Sequence, residues 1–177
     1  MAQYKRVYHY AVDLKGRLSL LGQRVPLRDP ALLDFFFRRL APRPVPDNPG
    51  LDWGNAVWQS PCGRELNLVH PEDTPIVFTN LHEPVNNSRP RLCYAGSLSE
   101  PFDPAFLRIS SRSGRLYYLA QESPAKVVGA CLITSTLAME LSKSIKTIED
   151  KARGDVKFEY VDDHQGVQRT ITIEQID

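Results

Sequence analysis

The residues best equipped for chemistry stand close together in WQSPCGRELNLVH, residues 58–70, where Cys62, Arg64, Glu65 and His70 fall within nine positions. A thiolate is a nucleophile, a guanidinium two residues away favours its charged form, and a histidine within hydrogen-bond reach would act as its base. That chemistry belongs to a small cysteine-dependent hydrolase or transferase using Cys62 with Arg64 and one histidine. A plainer account competes with it. Ser60-Pro61-Cys62-Gly63 meets the preferences of a type I turn, with a capping hydroxyl first, proline second and glycine fourth. The turn accounts for Ser60, Pro61 and Gly63 and leaves only Cys62 unexplained.

Other constellations are weaker. Cys62, His70, His82 and Cys93 are zinc-type donors, but separations of 8, 12 and 11 residues lack the short spacing by which one loop holds two ligands. No metal and no cofactor are expected, and the histidines read as solvated. Glu65, Glu72, Asp73, Glu83 and Glu140 are carboxylates by type alone. Glu140, set in LAMEL near a helix end, is expected to be buried against an arginine as a structural ion pair. No phosphate loop, G-x-G-x-x-G or G-x-S-x-G is present. The candidate site is therefore Cys62 as nucleophile, with Arg64, Glu65, Thr79, Tyr94 and Glu140 as binding residues.

Alternation after Gly63 puts Arg64, Leu66 and Leu68 on one strand face and Glu65, Asn67 and Val69 on the other. With Leu66 and Leu68 marking the core face, Arg64 is expected at the rim of the core, at least half buried and holding a carboxylate or several carbonyls.

The bulk properties narrow the classes. A chain of 177 residues with 42% hydrophobic and 24% charged residues fits one globular domain, 1–177. Lys plus Arg is 22 against 21 acidic residues, so no global field favours nucleic acid or an anionic membrane. Three cysteines without a short pairing spacing read as reduced thiols. The N-terminus lacks the apolar stretch of a signal peptide, and no segment is apolar over the ~20 residues of a membrane span. These features give a soluble, cytoplasmic protein whose ligand or protein partner is unknown.

The elements that must position these residues are legible in part. YKRVYHYAVDLKGRLSLLG alternates about a Gly-centred break, with Val7, His9 and Ala11 on one face and Tyr8, Tyr10 and Val12 on the other, which predicts a hairpin. RDPALLDFFFRRLAP predicts a helix over 30–41, with Asp29 as N-cap, Pro30 at the first position and Leu33, Phe36, Phe37 and Leu40 as its apolar stripe. Leu32 and Phe35 widen that stripe, into the core in the first reading and toward a second copy of the chain in the other. Residues 42–104 hold 11 of the 14 prolines, which forbids long helices and leaves the strands LDWGNAVWQ, RELNLVH, PIVFTNL and RLCYAG.

The C-terminal third predicts a hairpin in FLRISSRSGRLYYLAQ, a helix over 124–143 and a last hairpin in VKFEYVDDHQGVQRTITIEQ. Gly129 and the Val/Ile content would also allow a strand there, followed by a helix from about residue 134; the continuous helix is favoured. Four hairpins share one turn template: Asp13–Gly16, Ser60–Gly63, Ser111–Gly114 and Asp163–Gly166. The fold class is α+β: a mainly antiparallel sheet of hairpins, curved or sandwich-like, with two packed helices. The proline-rich centre lacks crossover helices, so three or more parallel strand pairs would sink that expectation.

In matching order, YHYAVDLKGRLSL, DPALLDFFFRRL, SPCGRELN, DTPIVFTNL, RLCYAGSLSEPFDPAFL, SGRLYYLA and LAMELS resemble a family of uncharacterised proteins found in bacteria and, in animals, as a small mitochondrial protein. The resemblance covers roughly residues 6–145, and SPCGRE with P-x-V-F-T is its most specific part. It implies no activity, cofactor or catalytic residue. The leading functional expectation is a non-catalytic binding or assembly module, with the Cys62 enzyme as its alternative.

Overall fold

The computed structural model describes residues 4–43, 56–82, 89–121, 127, 129–150, 155–164 and 167–177, the last three strands partly by backbone alone. The opening hairpin forms as its alternation requires: β1 (Arg6–Val12) pairs antiparallel with β2 (Leu18–Leu20). Between them the Asp13 carboxylate accepts the Lys15 and Arg17 amides, each at 2.9 Å, and Gly16 takes φ +73°. Three further strands, β3 (Ala41–Pro42), β4 (Trp58–Cys62) and β5 (Glu65–Pro71), complete a sheet of order β2-β1-β5-β4-β3.

Helix α1 (Pro30–Arg38) begins where the cap predicts, Asp29 accepting the Ala31 amide at 2.9 Å and the Leu32 amide at 3.3 Å. It ends three residues earlier than expected, because Ala41 and Pro42 join the sheet as β3. Phe36, Phe37 and Leu40 are buried, whereas Leu32 and Phe35 remain 43% and 39% exposed. The core reading of those two is thus corrected, and the Arg39 guanidinium covers the Phe35 ring at 3.6 Å.

The PIVFTNL segment divides at Thr79. β6 (Val77–Phe78) enters a seven-stranded sheet, while β7 (Asn80–His82) pairs with β8 (Arg91–Tyr94), which pairs with β9 (Leu98–Pro101) in a three-stranded sheet. The seven-stranded sheet has the order β13-β14-β15-β10-β11-β12-β6. Its remaining members are β10 (Leu107–Ser110), β11 (Leu116–Ala120), β12 (Gly129–Ile133), β13 (Ile145–Asp150), β14 (Asp155–His164) and β15 (Val167–Ile176).

The helix expected over 124–143 is replaced by a strand and a short helix. Gly129 has φ +120° and opens β12, whose Cys131, Leu132 and Ile133 are all buried; α2 (Ser135–Leu141) starts after Thr134, whose hydroxyl accepts the Leu137 amide at 3.4 Å. The β-branched and apolar run is buried on both faces of a sheet, where strand geometry outweighs helical spacing. Residues 124–126 and 128 of the expected helix lie outside the described residues.

The architecture is α+β and mostly antiparallel. Among the described residues nine strand pairings are antiparallel and three are parallel: β1 with β5, β10 with β15, and β12 with β6. The parallel pairs reach the number set against a mainly antiparallel sheet, since their crossovers run through other strands and loops as well as helices. Antiparallel pairing still dominates.

One buried cluster joins Val12, Phe37, Val69, Phe78, Tyr94, Tyr118, Leu137 and Ile173 across all three sheets and both helices. Rings run through it in sequence from Tyr10 to Phe36, Phe37, Tyr94, Phe78, Tyr118, Phe102 and Tyr160, each pair 5.1–6.4 Å between centroids. A second cluster, Ala56, Leu66 and Leu68 with Tyr4 and Val7, covers the other face of the five-stranded sheet.

Candidate functional site

Cys62 closes β4 and Glu65 opens β5, the two facing each other as a cross-strand pair around the two-residue loop Gly63–Arg64. Glycine stands first in that loop with φ +58°, the requirement of a II′-type hairpin. The turn is therefore shifted along the chain from the Ser60–Gly63 reading. Ser60 is a buried strand residue whose hydroxyl donates to the Phe36 carbonyl at 2.7 Å, and the Asn67 amide donates to the Ser60 carbonyl at 2.9 Å.

The shift removes Arg64 from the strand alternation. It is exposed, and among the described residues no ion pair joins it to a carboxylate. The expected rim of the core does not form under it because both faces of β5 are covered: Val69 belongs to the larger cluster, Leu66 and Leu68 to the smaller one. Glu65 lies 3.6 Å from Arg6, with both side chains well exposed.

Register also separates Cys62 from two histidines. Cys62, Glu65 and Arg6 occupy paired positions on one face of the sheet, while Val7, His9, Leu66, Leu68 and His70 occupy the other. His82 is exposed on β7, in another sheet. Tyr10 shares the Cys62 face, and its phenol is pushed above the ordinary tyrosine range by burial first, then by Tyr8, Glu65 and Cys62.

The other expected residues lie elsewhere. Thr79 is half-buried at the β6–β7 junction, its hydroxyl donating to the Cys93 carbonyl at 3.3 Å. Tyr94 is a core ring against Phe37 and Phe78. Glu140 is exposed on α2, so its expected burial against an arginine is corrected: the helix is short and buries Leu137 and Leu141 instead. Only Cys62 and Glu65 of that set are brought together by direct pairing.

A different group converges where the sequence pointed to none. Asp73 accepts from the Arg115 Nη1 and from the Tyr117 hydroxyl, each at 2.9 Å. Burial, then the Asp73 carboxylate, holds the Tyr117 phenol above its ordinary range, against the lowering effect of Arg115. Arg115 stands at one side of a cleft of about 200 Å³ whose apolar wall is Leu14, Leu116, Leu132, Ile133 and Ala138. It is the one charged side chain among the described lining residues. The spacing Arg115-x-Tyr117, from the residue just before β11 into that strand, was a visible signal; Asp73, 42 and 44 residues away, was not.

The fold makes the chain an α+β protein of mostly antiparallel sheets. It is similar to the crystal structure of a DUF1285 family protein from Silicibacter pomeroyi DSS-3, with a TM-score of 0.56 at 13% identity over 98% of this chain and 84% of that one. A DUF1285 family protein from Shewanella baltica OS155 matches with a TM-score of 0.49 at 12% identity, over 76% of this chain and 90% of that one. The chain itself belongs to the domain of unknown function family DUF4505, which matches residues 1–172.

Proposed function

We propose that this protein is a non-catalytic binding module, one domain over residues 1–177 acting in the bacterial cytoplasm, and that its ligand is a small organic anion. The carrying observation is Arg115, fixed by Asp73 beside an apolar-walled cleft of about 200 Å³. Small-ligand sites combine apolar walls with a few oriented polar groups, and a guanidinium matches a carboxylate head geometrically. In this reading Asp73 holds Arg115 from outside the lining, and the aliphatic side chains receive the apolar body.

The test is an NMR titration with butyrate and hexanoate. Saturable shifts at the amides of Gly114, Leu132 and Ala138, lost in Arg115→Met and retained in Arg64→Met, support the site. Linear or absent shifts would remove it. The alternative reading, a cysteine-dependent hydrolase or transferase using Cys62 with Arg64 and one histidine, keeps only the pairing of Cys62 with Glu65 in its favour.

A further inference from the structure

His9 and His70 meet across the parallel seam between β1 and β5. The His9 Nδ1 and the His70 Nε2 are 2.9 Å apart, the ring centroids are 5.2 Å apart, and the ring planes differ by 23°. These three values determine the kind of contact. With ring bonds of about 1.3–1.4 Å, an imidazole nitrogen sits roughly 1.1–1.2 Å from its ring centre, so an in-line N···N contact of this length separates the centroids by about 5.2 Å. The rings are therefore near-coplanar and edge to edge, with each nitrogen axis aimed at the other. Two lone pairs converging on one ion at ~2.0–2.1 Å with this N···N distance would bring the centroids to about 4.5 Å. The geometry is that of a proton between two nitrogens and excludes a metal shared by them in this arrangement.

We propose that the His9–His70 pair is an acid-labile latch on the β1–β5 seam, closed while one of the two facing nitrogens is bare and opened when both carry protons. The neutral pair holds two N–H protons on four nitrogens, one of them in the contact. A first added proton goes to an outward nitrogen of the donor ring and leaves the N–H···N bond intact. A second must go to the accepting nitrogen, which sets two N–H groups and two positive charges head to head.

Among the described residues no hydrogen bond or ion pair joins either ring to a carboxylate that would balance the second charge. By alternation this face carries Ser19 and Leu21 from β2 and its end, Gln59 from β4, and Leu66 and Leu68 from β5. The neighbouring charged groups are Lys5 before β1, the Asp13–Arg17 pair at the β1–β2 turn, Glu72 after β5, which accepts the Leu14 amide at 3.3 Å, and Arg43 after β3. Burial, and then the charge of His9, hold His70 below its ordinary value. A histidine so depressed adds stability that is complete above its unfolded pKa and is lost as pH falls toward the folded one.

The test uses the full chain. Imidazole nitrogen shifts followed from about pH 8 downward should show the two rings titrating as a coupled pair, its second step displaced to acid from the ordinary histidine value of about 6.5. The unfolding constant of the parent should rise on acidification by up to about tenfold per pH unit more than that of His70→Gln or His9→Gln. Independent titration of the two rings in the ordinary range overturns the latch, as does a variant whose stability follows the parent's pH dependence. The NMR titration decides alone if neither variant folds.

Discussion

The Ser60 hydroxyl donates to the main-chain oxygen of Phe36 at 2.7 Å, fastening the last turn of α1 to β4 through a side chain that is 1% exposed. The same carbonyl accepts the Arg39 amide at 3.2 Å at the helix C-cap, so the strand hydroxyl is a second donor to it. Ser60→Ala should cost about 0.5–1.5 kcal/mol, the net worth of a buried hydrogen bond. A urea titration checks this: the midpoint falls at unchanged slope.

The Tyr117 hydroxyl is tied to Asp73, and its phenol lies above the ordinary tyrosine value. Because the folded pKa is raised, this group's contribution to stability is complete below the unfolded pKa of about 10 and is lost as pH rises toward the folded one. Phenolate absorbance in Asp73→Asn should appear at lower pH for Tyr117 than in the parent, with Tyr117→Phe identifying the signal.

The three thiols should differ widely in alkylation by iodoacetamide. Cys131 is fully buried and its thiol is pushed up to about 12, by burial first and then by Glu100; Cys93 is also raised, chiefly by burial. Cys62 is half-buried at a hairpin end. Peptide mapping of the native protein should find Cys62 modified first and Cys131 last, since the thiolate is the reacting species.

Arg64 is exposed in a two-residue loop, so Arg64→Ala should change stability by no more than about 0.5 kcal/mol, as surface substitutions do. A loss of several kcal/mol in denaturant unfolding would restore the buried ion pair that alternation had suggested.

Local physics explains what was legible. Asp29-Pro30 and the Phe36–Phe37 stripe encode α1, and Gly16 marks its turn because the chain there adopts a positive φ. The same local rules misled at Ser60, where a good turn sequence lies in a strand and the real turn needs only a glycine at its first position. Long-range register was hidden. His9 meets His70 61 residues away, and Asp73 meets Arg115 42 away, because parallel neighbours and loop ends are chosen by the whole sheet. Glu140 failed for a related reason: its burial depended on the length of a helix, and β12 had claimed that helix's first half.

The parallel pairing of β10 with β15 also bears on how the chain emerges during synthesis. Arg108, Ile109 and Ser110 find their partners in Glu174, Gln175 and Ile176, so the middle of the largest sheet waits for residues made well over fifty positions later. A nascent chain shorter than this offers β10 as an open edge with unpaired main-chain groups, the kind of edge that templates association with another chain. Ribosome-bound intermediates of this protein should therefore depend on edge-shielding factors until translation passes Ile176.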